Sequence, residues 1–158
     1  MTLSVDLNRV TPAKQIAGED HTETKLLREM LDRAEAYVRS FKWCPPVVER
    51  FLGYAVGGVV AVFLFKFSEK IKGSDDLLWV VVGDVPSAYL VTDNAPDPPS
   101  ALTVYCEMME AWGRAVLNGS SMDEVFPIGA PATRENANML LSRTRFIREK
   151  LIPVSRSL

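Results

Sequence analysis

The chain has 158 residues, a length that accommodates one domain with one hydrophobic core. Hydrophobic residues make up 47% of it and charged residues 24%, which excludes collagen-like and wholly disordered chains. The formal net charge is -2 at pH 7, so the protein has no overall positive field to hold nucleic acid or an anionic membrane surface. We therefore expect neither nucleic acid nor a membrane among its partners.

Three features bear on where the protein resides. Residues 1–20 contain no apolar run, which argues against a secretory signal. Cys44 and Cys106 are too few for a disulfide framework, so we expect reduced thiols. The stretch that most resembles a membrane span, residues 51–65, is 15 residues long and falls short of the roughly 20 that a bilayer requires. Together they predict a cytoplasmic protein.

The first element begins at Asp20, where hydrophobic residues start to recur every three or four positions and predict an amphipathic helix. Asp20 and Glu23 have the spacing of an N-terminal capping box, and Pro45-Pro46 ends the run. The apolar stripe consists of Leu27, Met30, Leu31, Ala34, Val38 and Phe41.

Val, Phe, Leu and Trp dominate the next part of the chain, as is typical of buried strands. The pattern predicts three or four strands, at residues 47–54, 59–67, 77–82 and 88–92. Turn-forming residues separate them: Gly57-Gly58, Gly73 to Asp76, and Gly83 to Ser87. Because these connections are too short for parallel crossovers, an antiparallel meander is expected.

Pro96, Pro98 and Pro99 predict a stiff connector into a helix from about Ser100 to Leu117. Thr133 is the expected cap of a last helix, which ends at Pro153. Helices and strands are therefore segregated along the chain, which predicts an α+β fold.

This order of elements predicts one α+β domain at residues 20–153, a flexible N-terminal arm at 1–19 and a C-terminal tail at 154–158. Two C-terminal helices pack on the sheet in this prediction. We expect all three helices to cover one face of the sheet, and a second copy of the chain to cover the other, giving a homodimer.

The sequence offers little for catalysis. His21 is its only histidine, so no Ser-His-Asp set can be assembled elsewhere. A thiol enzyme with Cys44 as nucleophile and His21 as base is one alternative, although Cys44 also suits a small packing residue. Zinc-site spacing, an EF-hand loop and glycine-rich phosphate loops are all missing from the sequence. We expect no catalytic residues, no metal and no cofactor, which argues against an enzyme.

The densest local signal is the run from Leu77 to Tyr89. In one interpretation it is a hydrophobic hairpin in which Gly83 permits the bend and Asp84 bonds the turn. In the other, Asp84 and Tyr89 belong to a ligand cleft that has Trp79 below it and includes Trp112.

The run W-V-V-V-G-D-V-P-S-A-Y at 79–89, followed by Pro98, Ala101-Leu102 and Trp112, resembles an uncharacterised bacterial domain family. That family is built around a tryptophan-glycine-aspartate-proline strand and a proline-led helix. The resemblance implies a small cytosolic bacterial α+β protein without assigned activity. Some small domains of this sort are immunity proteins, which is an analogy only.

Charge is unevenly distributed along the chain. Between Lys72 and Arg114 there is no basic residue but there are seven acidic ones, whereas from Thr133 onward six basic residues outnumber two acidic ones. The two regions either face each other within the fold or leave an acidic surface for a basic partner. The candidate partner-binding residues are Asp75, Asp76, Asp84, Tyr89 and Asp97.

These observations predict a non-enzymatic cytosolic interaction module with an acidic surface, of which an immunity-type protein is one form. A small-molecule-binding protein or an enzyme with a cleft near Trp79, Asp84 and Tyr89 is the alternative. A structural subunit with an exposed apolar sheet face is a third class.

Overall fold

The computed structural model describes residues 5–71 and 75–158, and a five-stranded antiparallel sheet lies at its centre. The strands follow one another in sequence order, so the predicted meander is confirmed. They are β1 (Thr11–Pro12), β2 (Val47–Val56), β3 (Val60–Phe67), β4 (Leu77–Gly83) and β5 (Ala88–Val91). The two-residue β1, which pairs with Phe51 and Leu52 of β2, was not predicted. Gly73 and Ser74 of the predicted β3–β4 turn lie outside the described residues.

The helices are α1 (His21–Arg39), α2 (Pro98–Asn118), α3 (Arg134–Phe146) and the short α4 (Ile152–Arg156). The α+β fold class is confirmed. Asp20 caps α1, because its carboxylate accepts a hydrogen bond from the Glu23 N–H at 2.8 Å. The Glu23 carboxylate accepts in turn from the Glu19 N–H at 3.2 Å, one residue before the position that a capping box uses.

Helix α2 begins at Pro98, so two prolines of the predicted connector belong to the helix itself. Asp97 is its cap and accepts from the Ser100 N–H at 2.9 Å. Proline is well suited to the first helical turn, because the N–H it lacks has no partner there in any case. The end of α2 is as expected, with Gly119 in the left-handed conformation.

The last helix does not end at Pro153 as predicted. After α3 the chain widens into a π-helical turn, Ile147–Leu151, and continues as α4 through Pro153 to Arg156. A proline inside an α-helix removes one hydrogen bond and crowds the carbonyl one turn earlier. The wider turn, in which the Ile152 N–H donates to the Ile147 carbonyl, absorbs this conflict and keeps the chain helical.

Helices cover both faces of the sheet. Side chains alternate along β3, so that Phe63 and Phe65 pack with α1 while Val62 and Leu64 pack with α2 and the C-terminal helices. The prediction that all three helices share one face is therefore wrong. The sheet face that we expected a second copy of the chain to bury is already buried by α1, because both faces of β3 and β4 are apolar.

The chain termini also pack more closely than the predicted arm and tail. Val10 and Ile16 are buried, one in each half of the core. The Arg9 guanidinium donates to the backbone carbonyl of Ser155 at 3.1 Å, and Ser155 is itself buried. Residues 5–16 and 152–155 are thus integral to the domain, since buried apolar surface outweighs the entropy of a loose end.

Replacing Gly83 by alanine should destabilise the protein by about 3 kcal/mol. Gly83 has a φ of +145°, and a Cβ there would overlap the carbonyl oxygen of Val59. The matched control is Gly119→Ala, where φ is +64° and no atom lies within 4 Å of the added Cβ, so the loss should be only about 1 kcal/mol. Urea unfolding of both variants measures the difference, and equal losses would contradict the role given to Val59.

Candidate functional site

The turn between β4 and β5 carries the Gly83-Asp84-x-Pro86 sequence and is held from two directions. The Asp84 N–H donates to the Val59 carbonyl at 2.8 Å, which joins this turn to the β2–β3 hairpin. The Tyr105 hydroxyl of α2 donates to the Pro86 carbonyl at 2.6 Å. These two hydrogen bonds restrict the backbone conformation of the turn. The side chain of Asp84 therefore projects from the turn in one fixed direction.

That direction brings the Asp84 carboxylate to Arg143 of α3, at 3.2 Å. A second pair joins the π-helical turn to α2: Arg148 donates two hydrogen bonds to Glu110, at 2.7 and 2.9 Å. At these two places the acidic and basic parts of the sequence do face each other within the fold, as one of the two interpretations predicted.

Two other predicted site residues have local structural roles. Asp75 accepts hydrogen bonds from the Leu77 N–H at 2.9 Å and the Thr92 hydroxyl at 3.0 Å, which ties the ends of β4 and β5 together. Asp97 caps α2. A carboxylate that accepts such bonds has fewer acceptor positions left for a partner.

The predicted acidic residues do not form one surface. Asp75 and Asp76 lie before β4 and Asp84 lies after it, and this strand of seven residues is about 20 Å long. Asp97 follows β5 and caps α2, about two helical turns before the Tyr105 that contacts the β4–β5 turn. Asp84 is therefore separated from Asp75 and Asp76, at the opposite end of β4.

The predicted cleft is assembled only in part, because Asp84 and Trp112 line one depression but Trp79 and Tyr89 are not in its lining. Trp79 pairs with Leu90 across the ladder and Tyr89 pairs with Val80, so Trp79 and Tyr89 point to opposite faces of the sheet. Trp79 is fully buried, and its indole N–H donates to the Ala95 carbonyl at 2.8 Å. One cleft cannot be lined by both rings.

The alternative pairing of Cys44 with His21 is not formed in the structure. His21 is the first residue of α1 and Cys44 follows its last turn, so a helix of 19 residues, about 28 Å long, separates them. Burial raises the pKa of the Cys44 thiol, and it raises the pKa of Cys106 to about 12. Both cysteines are free and protonated at neutral pH, a state in which a thiol is a poor nucleophile.

Tyr89 lies instead at the centre of a cluster of five aromatic rings. Its ring centroid is 5.1 Å from that of Phe41, 5.0 Å from Trp43 and 5.4 Å from Phe126, all three in edge-to-face geometry. Tyr37 completes the cluster at 6.5 Å from Tyr89. The rings come from α1, the loop after it, β5 and the segment between α2 and α3.

The cluster is a surface feature. Trp43 is 39% exposed, and the other four rings are each partly exposed. Burial, with a smaller effect of the neighbouring Tyr89, raises the pKa of Tyr37 to about 12. The Tyr37 hydroxyl is therefore neutral throughout the physiological pH range.

Acidic residues continue this surface along the outer strand. Tyr89 and Val91 lie on one side of β5, Val91 is 42% exposed, and Asp93 follows in the turn after the strand. The register pairs Leu78 with Val91, and Asp76 and Asp93 each lie two residues beyond this pair, at the same end of the two strands. We call the resulting surface, Trp43, Asp76, Tyr89, Val91 and Asp93, the β5 strip.

Sequence reasoning identified Tyr89 and Asp76 but missed Trp43, Val91 and Asp93 as members of one surface. Phe41-Lys42-Trp43 follows the last turn of the first helix, and two large aromatic residues beyond a helix end were a usable signal. Nothing in the sequence showed that this loop would meet β5, because the contact joins positions more than forty residues apart.

Comparison of the chain with protein-family models, with curated proteins and with solved structures finds no match. Within residues 5–71 and 75–158, no group of three or more His, Cys, Asp or Glu side chains is placed to hold a metal ion. In that same part of the chain, every helix is too short or too polar to span a bilayer.

Glu110→Gln should lower stability at neutral pH but not in acid. The two hydrogen bonds from Arg148 hold the pKa of Glu110 below its usual value, so the stabilisation is complete above the unfolded pKa of about 4.3 and is lost as pH falls through the folded pKa. We expect a loss of about 1–2 kcal/mol at pH 7, reduced by the 38% exposure of Arg148.

Urea unfolding of the wild type and the Glu110→Gln variant from pH 7 down to pH 3 measures this difference. The control, Glu107→Gln, removes an exposed carboxylate of the same helix and should change stability by less than about 0.5 kcal/mol. A gap between the wild type and Glu110→Gln that persists unchanged in acid would contradict the assignment.

Proposed function

We propose that this protein is a non-enzymatic interaction protein that binds a basic protein partner through the β5 strip. The observation that carries the proposal is the partly exposed five-ring cluster around Tyr89, on a strand pair at whose end Asp76 and Asp93 lie. The cytosolic, bacterial and immunity-type parts of the sequence-based expectation remain predictions.

Partly exposed aromatic rings of this kind suit binding more than folding. Trp79 and Tyr105 show how the domain buries aromatic residues that it needs for stability, since both are completely inaccessible. Trp43 keeps 39% of its surface in water although it packs against the rings of Phe41 and Tyr89. Tryptophan and tyrosine are the residues that most often dominate protein–protein binding energy, because they bury a large area with few rotatable bonds.

The chemistry of the strip favours basic side chains. Arginine and lysine stack on tryptophan and tyrosine faces within about 6 Å of the ring centre. Asp93 is exposed and Asp76 is partly exposed at the end of these strands, so a cation approaching the strip meets negative charge there. Aromatic and acidic groups within one surface are the combination that a basic partner needs.

The position of the strip also supports this function. Trp43, Phe41 and Phe126 belong to connecting segments, where binding residues are common, while Tyr89 is held on the sheet by its ladder with Val80. A central ring that the sheet already holds in place loses little freedom on binding, which lowers the entropic cost of association.

A photo-crosslinking amino acid placed at Val91 tests the proposal in cells that make the protein. Val91 is exposed at the centre of the strip, so we expect a specific covalent adduct with a basic protein, identified by mass spectrometry. The control is the same amino acid at Glu107, which is exposed on α2 outside the strip. Equal adducts at both positions, or none at Val91, would remove the proposal.

The captured protein, once purified, permits a quantitative test by calorimetric titration. Asp76→Lys/Asp93→Lys should weaken binding at least about tenfold and reduce its salt dependence, whereas Trp43→Ala should weaken it without changing the salt dependence. Glu107→Lys makes the same kind of charge change away from the strip and should leave affinity unaltered. Unaltered binding by the Asp76→Lys/Asp93→Lys variant would show that the strip is not the interface.

A further inference from the structure

A second exposed surface lies at the hairpin end of the sheet, on the outer side of α3. We call it the α3 face and define it by Val59, Asp84, Met139, Ser142, Arg143 and Phe146. Three of its members are large and apolar yet strongly exposed: Val59 at 38%, Met139 at 48% and Phe146 at 45%. The buried stripe of α3, Ala137, Leu140 and Thr144, already provides the contact with the core, so these residues form an additional apolar stripe.

Two depressions flank Arg143 on this face. One, of about 290 Å³, lies between the β4–β5 turn and the start of α3 and includes Pro86, Trp112, Ile128 and Met139 among its lining residues. The other, of about 240 Å³, includes Val59, Ser142 and Phe146. The Asp84–Arg143 ion pair lines both and separates them. The face therefore carries two projecting side chains and two apolar hollows.

We propose that the α3 face binds the α3 face of a second copy of this chain, with the two α3 helices antiparallel across a two-fold axis. Met139 and Phe146 lie seven residues, about two turns, apart on one side of α3, and a two-fold axis between Ser142 and Arg143 would exchange them. In this antiparallel arrangement, Phe146 of each copy lies beside the hollow that Met139 lines in the other copy. Met139 of each copy lies beside the hollow that Phe146 lines in the other. A contact of this kind is isologous, since each copy supplies the same projections and the same hollows.

The charges of the face favour a second copy over another occupant. Asp84 and Arg143 lie 3.2 Å apart and are both solvent-accessible, so the face is neutral overall but has a negative and a positive side. A two-fold axis beside Arg143 brings the two Asp84–Arg143 pairs together, so each guanidinium faces the carboxylate as well as the guanidinium of the other copy. A basic partner would meet Arg143 and an acidic partner would meet Asp84, whereas the face is complementary to itself.

Ser142 allows the two helices to approach closely at the axis, because its side chain is small and exposed. The interface is distinct from the one that the sequence predicted, which used an open sheet face. It is also distinct from the β5 strip, whose two aspartates would repel each other across a self-contact.

Sedimentation velocity over a concentration series provides the first test. The wild type should change from monomer to dimer as concentration rises. Phe146→Glu, at an exposed position that the fold tolerates, should shift the midpoint to at least about tenfold higher concentration. Asp84→Arg should also weaken the dimer, and Asp84→Arg/Arg143→Asp should restore it, because the swapped pair remains complementary across the axis. Circular dichroism melting confirms that each variant is folded.

Disulfide trapping in a Cys44→Ser background tests the geometry. Ser142→Cys lies beside the proposed axis and should crosslink to its own copy under mild oxidation. Arg145→Cys is the matched control, since Arg145 is exposed on the flank of α3 that borders the α2 groove with Glu110 and Arg114. The buried Cys106 does not compete.

A monomeric mass for the wild type at every concentration up to the solubility limit would overturn the proposal. So would a dimer that Phe146→Glu leaves intact, or crosslinking at Arg145→Cys equal to that at Ser142→Cys. Because the β5 strip is not part of this contact, failure of the dimer would leave binding at Tyr89 unaffected, and the two proposals fail separately.

Discussion

The requirement to bury β3 and β4 on both of their faces determines most of the architecture. Seven of the eight β3 residues and six of the seven β4 residues are buried, so neither strand has a polar side that could face water. Covering two apolar faces takes two separate layers of helix. The chain supplies α1 before the meander for one face, and α2, α3 and the C-terminal turns after it for the other. Burial of this apolar surface is the dominant stabilising contribution, and the hydrogen bonds at the strand ends select the arrangement in which it occurs.

The β4–β5 segment shows how a single stretch of sequence serves both folding and recognition. Trp79 faces inward and Tyr89 faces outward because side chains alternate along paired strands, and the turn between them is bonded to the β2–β3 hairpin and to α2. The inward residues set the position of the sheet beneath α2. The outward residues are Asp84 in the turn and Tyr89 further along β5. Because the turn and the strand are held in place, these two side chains have fixed positions on two different surfaces.

Much of the fold could be predicted from the sequence, because its signals are local. Alternation and turn residues located the four longer strands to within one or two residues, and Asp20, Gly119 and Thr133 marked helix ends correctly. The failures all concern contacts distant in sequence. The side of the sheet that α1 covers, the continuation past Pro153 and the separation of Trp79 from Tyr89 depend on packing or on strand register, which periodicity does not encode. The acidic residues do cluster in the sequence, but they do not form one surface in the structure, because the full length of β4 lies between Asp76 and Asp84.

The contact between Arg9 and Ser155 closes almost the entire chain into one loop. Closing so long a loop costs configurational entropy, which is offset only when the rest of the domain is already folded. We therefore expect this hydrogen bond to form in the last stage of folding. On a ribosome it cannot form until Ser155 has emerged, 146 residues after Arg9. The chain therefore enters and leaves the described domain at neighbouring positions.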